Sequence, residues 1–361
     1  MENEITKDEI DNFFLAHPIY DKYLGRAALI CTLYFVNADT QEIQHNICEC
    51  VREYVSLIGD EAKCCVSTSS SRFLLAEEGK LELMDEETIR RKQENGSSIA
   101  EFYVASHSSG KEYDSVPAKF SLRTVLLLKE AEFAFDGTPL DKEASILSAV
   151  FAPSFFLLDK QPLTFTDLVL KWCNALRPLS GVAGWGVSQL SDPWLMTPSR
   201  EGLARYLLQY PGLDLPCLLP CSHFIQHIAS INWLTILCDE LAERVGGVER
   251  LRSLGKEYPL ARYAGGHIIQ AGPTPQLGDR EHGDVLPLYG KVHDLLRPLY
   301  PPLDELTYIA SGFYDYDPQT REVNIESPKK AEQNLREFLS LWMNRYSADV
   351  KTPPLFSLNG S

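Results

Sequence analysis

The sequence has little basic charge for its length. It carries 34 Lys and Arg against 50 Asp and Glu in 361 residues, which gives a formal net charge of −16. An acidic surface repels phosphate, and this argues against nucleic acid or an anionic membrane as a direct partner. The same surface favours a basic protein partner, although acidity also serves solubility alone. Residues 1–160 hold 28 of the acidic side chains against 16 Lys and Arg, so the N-terminal half is the more acidic.

The sequence also lacks a long apolar run and a cationic, apolar leader. The first residues, Met-Glu-Asn-Glu-Ile-Thr-Lys-Asp-Glu, do not resemble a secretory signal. The longest apolar run, Ile146–Leu158, is interrupted by Ser148, Pro153 and Ser154 and is too short to span a bilayer. We therefore expect a cytoplasmic protein that does not enter the membrane.

Paired metal-binding cysteines are missing as well. The chain has nine cysteines, but none forms a Cys-x-x-Cys pair. The spacings Cys48-Glu-Cys50 and Cys64-Cys65 do not let two thiolates converge on one zinc ion. The sequence predicts reduced thiols in the core, with no metal and no cofactor, which is consistent with a cytoplasmic compartment.

No catalytic constellation stands out, and we predict that the protein is not an enzyme. His223 and His227 have an i,i+4 spacing that would place both imidazoles on one helix face, but Phe224 replaces the glutamate of a metalloprotease motif. A metal-dependent hydrolase that uses these two histidines remains one alternative, and a non-catalytic adaptor or scaffold is another. The segment Gly181–Gly186 lacks the lysine of a phosphate-binding loop and is interpreted as a tight turn before a short strand.

Strand patterns dominate early in the chain and helix patterns dominate late. This order predicts an α+β fold, with a mixed, mostly antiparallel sheet and helices packed on one face. At this length two subdomains are expected, an acidic one at 1–160 and a second at 161–350, followed by a disordered tail at 351–361. One long helix is predicted over His223–Val245.

Two acidic loops are the candidate partner-binding sites. The first crowds Asp279, Glu281 and Asp284 into six residues, with Arg280 and His282 between them. The second loop interleaves aromatic and acidic residues, namely Tyr314, Asp315, Tyr316 and Asp317. Carboxylates can occupy the positions of phosphates in a basic cleft, and tyrosines are effective interface anchors. The structural alternative is that Asp279 and Asp284 only cap turns and that Asp317 belongs to an ordinary hairpin turn.

The order of several short motifs resembles a known family. These motifs are Leu179–Gly186, Ile231-Asn232-Trp233-Leu234, Gly246-Gly247, Gln270-Ala271-Gly272-Pro273, Gly278-Asp279 and Gly283-Asp284. They resemble the bacterial type VI secretion immunity proteins that pair with nuclease toxins of the VRR-nuclease class and its relatives. The resemblance extends roughly from Leu147 to Tyr346. It implies a stoichiometric inhibitor that blocks the active site or substrate entry of a cognate, basic nuclease toxin. The oligomeric state is left open.

Overall fold

A computed structural model describes most of the chain. The described residues are 14–16, 23–61, 64–67, 74–75, 85–95, 99–105, 119–125, 144–158, 163–189, 206–214, 226–303 and 328–347. The proposed tail at 351–361, the segment Tyr314–Asp317 and His223 lie outside these ranges.

Eleven strands form one sheet. They are β1 (Phe14–Ala16), β2 (Tyr23–Phe35), β3 (Cys64–Ser67), β4 (Leu74–Leu75), β5 (Ile99–Ala105), β6 (Lys119–Val125), β7 (Ser145–Phe151), β8 (Ser180–Gln189), β9 (Leu234–Cys238), β10 (Leu260–Tyr263) and β11 (Gly266–Gln270). Their order is β10-β11-β9-β8-β2-β7-β6-β5-β3-β4, with β1 beside β2, and each described pairing is antiparallel.

Eight α-helices accompany the sheet in the described ranges. They are α1 (Gln41–Ile58), α2 (Glu86–Glu94), α3 (Pro153–Leu157), α4 (Phe165–Leu176), α5 (Asp239–Arg244), α6 (Gly247–Arg252), α7 (Pro287–Leu296) and α8 (Pro328–Met343). Residues 206–209 are also helical. The α+β fold predicted from the sequence is therefore confirmed.

The long strand β2 lies at the centre of the sheet. It pairs with β8 from Gly25↔Gln189 to Tyr34↔Ser180 and with β7 on its other side. Strands from both sides of residue 160 thus belong to one sheet, and the division of the chain at 160/161 stays a prediction.

Helices α1 and α4 pack together on one face of β2. Alternate β2 residues Leu29, Cys31 and Leu33 belong to the same core cluster as α1 and α4. The opposite face of β2 contributes Ala28 and Ile30 to a second small cluster. Because both faces of β2 are buried, the strand has a nearly continuous apolar sequence rather than an alternating one.

The predicted helix over His223–Val245 is wrong. Residues 226–233 form no helix, β9 follows at Leu234–Cys238, and only α5 is helical. All five residues of β9 are buried. A strand buried on both faces has no two-residue alternation, so its sequence pattern cannot be distinguished from that of a buried helix.

The predicted turn at Gly181–Gly186 is also wrong, because these residues lie within β8. A Cβ at Gly181 would stand 2.5 Å from the carbonyl oxygen of Thr32, and one at Gly186 would stand 2.4 Å from Ile30 Cδ1. The glycines therefore let β8 lie close against β2. The close backbone packing expected here exists, but between two strands instead of at a turn.

Candidate functional site

The acidic loop around Asp279 folds into a short closed turn. The backbones of Asp279 and Asp284 exchange hydrogen bonds of 3.1 and 2.9 Å. A 3₁₀ turn, Arg280–His282, lies between them. The Asp279 carboxylate accepts a hydrogen bond from the Glu281 N–H at 3.0 Å, and its other oxygen lies 2.7 Å from His282 Nδ1. Asp284 accepts a bond from the Leu286 N–H at 3.3 Å.

These contacts show that Asp279 and Asp284 do cap the turn, as the structural alternative held. Partial burial acts to raise the pKa of Asp279, but the hydrogen bonds from His282 and from the Glu281 N–H outweigh it, so the pKa lies below its usual value. The hydrogen bond with Asp279 in turn raises the pKa of the His282 imidazole. Glu281 and Asp284 are exposed. The turn therefore favours the ionised form of Asp279 and presents the carboxylates of Glu281 and Asp284 to solvent.

The one arginine in this turn points away from its carboxylates. Arg280 Nε donates to the carbonyl oxygen of Arg345 at 3.1 Å, and Arg280 Nη2 donates to that of Ser347 at 2.7 Å. Burial lowers the pKa of this guanidinium. These bonds fasten the turn to the residues that follow α8, and they remove the positive charge from its outer side.

Two tyrosines lie next to the acidic turn. Tyr206 and Tyr210 are one helical turn apart, and their rings stack with centroids 6.4 Å apart and planes 5° apart. Burial first, then the charges of Asp279 and Glu281, raises the pKa of Tyr210. Both side chains are partly exposed. We call Tyr206, Tyr210, Asp279, Glu281 and Asp284 the acid–tyrosine surface.

The sequence analysis did not select the two tyrosines. The i,i+4 spacing of Tyr206 and Tyr210 was the available signal, because residues at this spacing lie on one face of a helix. Their closeness to Asp279 depends on contacts between distant segments, such as the 2.8 Å bond from the Gly212 N–H to the Leu277 carbonyl oxygen.

A buried arginine holds the segments behind this surface together. The Arg345 side chain is 0% exposed. Its guanidinium donates to the carbonyl oxygens of Pro211 and Ile231, each at 3.0 Å, and to the Ser230 hydroxyl at 2.8 Å. Asp214, also buried, supplies the nearest carboxylate at 3.9 Å. We call Arg345 with these partners the arginine node.

Aromatic rings and an asparagine extend the arginine node. The Arg345 guanidinium carbon lies 4.2 Å from the Trp342 ring centroid and 4.6 Å from that of Tyr346. The Asn232 amide donates to the carbonyl oxygen of Trp185 at 2.8 Å, which joins this region to β8. Asn232 and Trp185 both belong to the motifs that carried the family resemblance, so these motifs serve the interior of the fold.

The histidine pair of the hydrolase alternative gains no geometric support. His227 lies in the non-helical stretch 226–233, and its Nδ1 is 3.2 Å from the carbonyl oxygen of Leu299. The helix that was to align it with His223 is absent there. Among the described residues, no group of three His, Cys, Asp or Glu side chains could hold a metal ion.

Five cysteines of the described ranges are buried free thiols, at positions 31, 48, 50, 173 and 238. Burial raises the pKa of Cys48 to about 11, and it raises the pKa of Cys31 and Cys173 further. Thiols with raised pKa values are poor nucleophiles and poor metal ligands at neutral pH.

In the described ranges, no helix is long and apolar enough to cross a membrane.

A family model matches residues 46–312, more than half of the chain, and its description is "Type VI immunity for VRR-NUC", TsiV. The protein thus belongs to the TsiV family of type VI immunity proteins. The match starts about a hundred residues before the region in which the resemblance was recognised and ends before α8. No curated protein matches the chain.

A solved structure shares the fold. It is the "Pseudomonas aeruginosa T6SS protein PA0821", which matches with a TM-score of 0.65 and 20% sequence identity. The match covers 95% of this chain and 90% of that one. The immunity function expected from the sequence is confirmed by the family, and the family's partners are VRR-NUC toxins.

Proposed function

We propose that this immunity protein neutralises its cognate nuclease toxin by stoichiometric occlusion, with the acid–tyrosine surface in direct contact. The observation that carries the proposal is the arrangement of that surface. Asp279, Glu281 and Asp284 share one closed turn beside the stacked pair Tyr206 and Tyr210. The binding role of Tyr314, Asp315, Tyr316 and Asp317 remains part of the proposal as a second contact edge.

The chemistry of a nuclease cleft explains why such a surface would bind it. A cleft that holds nucleic acid presents cations to phosphates. Carboxylates fixed on a rigid turn can take the place of those phosphates, and they lose little entropy because the turn is already ordered. The tyrosine rings add apolar area next to the charges. Occlusion then needs no reaction by the immunity protein.

The proposal includes a cytoplasmic site of action and a basic toxin surface. The net charge of −16 supports the second part, since opposite charges complement each other across an interface. Nucleic acid is not a direct partner in this scheme, because the surface that meets the toxin would repel it.

Titration of the cognate VRR-NUC toxin tests the stoichiometric mode. Nuclease activity on DNA and RNA substrates should fall linearly and vanish at about one immunity protein per toxin. Inhibition by a small molar fraction, with continued loss of activity over time, would show turnover and contradict occlusion.

Reversal of one exposed charge tests the surface itself. We expect Glu281→Lys to slow association with the toxin about tenfold at low salt, because it removes electrostatic attraction from the turn. The difference from wild type should shrink as salt screens the charges. Glu94→Lys, the same change on the exposed face of α2, is the matched control. Equal association rates for both variants would remove this turn from the interface.

A further inference from the structure

A small cavity opens between α7 and α8. Its volume is about 180 Å³. The lining consists of His293, Arg297, Tyr300, Leu303, Ser340, Met343 and Asn344. The lining shares no residue with the acid–tyrosine surface.

The cavity has an apolar interior and a polar mouth. His293 and Tyr300 are 5% and 7% exposed, and their rings lie 5.5 Å apart. Leu303 and Met343 are partly buried against the same core. Arg297 and Ser340 are exposed at the mouth. Apolar walls with a few polar groups at one side are typical of sites that bind small molecules.

Arg297 gives the mouth a positive charge with few partners. Its guanidinium has five N–H donors. Within the part of the chain that the structure describes, it makes one side-chain hydrogen bond, to Asn344 Oδ1 at 3.3 Å, and no ion pair. This is unusual in a chain with 50 acidic residues and a net charge of −16. The remaining donors can form the two parallel bonds that a carboxylate accepts.

We propose that this cavity binds a carboxylate that carries a small apolar body. The carboxylate pairs with Arg297 at the mouth, and the body lies between the rings and aliphatic side chains inside. An apolar cavity of about 150 Å³ is large enough for benzene, so the volume here accommodates one ring or a branched aliphatic group. The Asp294 side chain is 80% exposed, and one of its carboxylate oxygens lies 3.4 Å from Nδ1 of the lining residue His293.

Phenylacetate is a suitable probe, and phenylacetamide is its neutral counterpart of the same shape. Ligand-observed NMR and calorimetry on the full chain should show binding of phenylacetate, with at least tenfold weaker binding of phenylacetamide. Arg297→Gln should weaken phenylacetate binding about tenfold or more. Arg250→Gln, a change at an exposed arginine on α6, should leave it unchanged.

Two results would overturn the proposal. One is the absence of phenylacetate binding to wild type at millimolar concentration. The other is equal binding by wild type and Arg297→Gln, provided that both melt at the same temperature. We also expect Met343→Trp to weaken phenylacetate binding, because the larger side chain occupies space in the cavity.

Competition with the cognate toxin distinguishes two sources of the carboxylate. If saturating toxin displaces phenylacetate, the natural carboxylate belongs to the toxin, as an acidic or C-terminal group beside an apolar side chain. If both bind together, the natural ligand is a free small carboxylate. Toxin neutralisation itself is measured separately, so the cavity and the immunity mechanism can fail independently.

Discussion

The arginine node and the acid–tyrosine surface use charge in opposite ways. In the node, one fully buried cation is surrounded by carbonyl oxygens, a hydroxyl and a carboxylate 3.9 Å away. On the surface, three carboxylates share one turn, and the turn's own arginine bonds to carbonyl oxygens behind it. Both regions meet at the end of α8, where Arg280 binds the backbone of Arg345.

The contrast shows that the buried charge of the node determines the fold, whereas the exposed charges of the acid–tyrosine surface are available to bind a partner. A buried charge is costly unless each of its donors is satisfied, so the node accepts one arrangement of the chain. An exposed carboxylate contributes little to folding and remains available to a partner. The backbone of Arg345 in the node binds Arg280 of the turn, and the turn exposes the carboxylates of Glu281 and Asp284 to solvent. Changes in the two regions should therefore have different consequences.

The largest expected effect is on folding, from Arg345→Met. Removal of the guanidinium leaves Asp214 buried without its cation, removes the donor to the carbonyl oxygen of Pro211, and removes one of the donors to that of Ile231, which keeps the bond from the Tyr346 hydroxyl. We expect a loss of about 3–5 kcal/mol in the free energy of unfolding. Urea denaturation followed by tryptophan fluorescence measures it, with Arg250→Met as the exposed control. A loss below about 1 kcal/mol would show that the node does not hold the fold.

The second effect is on binding, from Tyr210→Ala. Tyr210 is partly exposed, and its ring stacks on Tyr206. As a buried anchor in the complex it should contribute about 2 kcal/mol to toxin affinity. The melting temperature should change little compared with the Arg345 variant. Calorimetry with the toxin and thermal melting of the same sample separate the two quantities. An unchanged affinity in a well-folded variant would exclude this tyrosine from the interface.

The smallest expected effects are on the pH dependence of stability, and they come from two histidines whose pKa values shift in opposite directions. Burial lowers the pKa of His293, which packs 5.9 Å from Tyr346 beside the node, whereas Asp279 raises the pKa of His282 in the turn. Because the pKa of His293 is lower in the folded than in the unfolded protein, its contribution to stability is complete above the unfolded value of about 6.5 and is lost as pH falls towards the folded pKa. The bond of protonated His282 contributes below that value and is lost as pH rises through its folded pKa.

Melting temperatures between pH 5 and 8 test this pair of histidines. His293→Gln should make the loss of stability on acidification shallower than in wild type, because one group that resists protonation is gone. His282→Gln should make it slightly steeper, because the variant lacks the bond that acid favours. Parallel pH profiles for the two variants would contradict the opposite shifts.

The fold class and the caps of the acidic turn could be predicted from the sequence. Both depend mainly on interactions between residues that are close together in the chain. Helix α1 is an example, because Ile43, Ile47, Val51 and Tyr54 recur at helical spacing and all four are buried. The turn at Asp279 was recognised because its contacts span at most a few residues. Short-range patterns are visible in one sequence without further information.

The errors and omissions all depend on contacts between distant residues. Strand β9 is apolar on both faces because neighbours cover it on both sides, and the sequence of the segment alone predicts a helix. The glycines of β8 are explained only by Thr32 and Ile30 on the adjacent strand. The role of Arg345 could not be predicted, since its bond to Pro211 joins positions 134 residues apart.

That separation has a consequence for the order in which the protein is made. A ribosome synthesises Pro211, Asp214 and Ile231 well over a hundred positions before it adds Arg345. Until then these segments lack the cation that joins them, and Arg280 lacks the backbone oxygens of residues 345 and 347 that fasten the acidic turn. We therefore expect nascent chains, and chains that end before residue 345, to give no protection against the toxin.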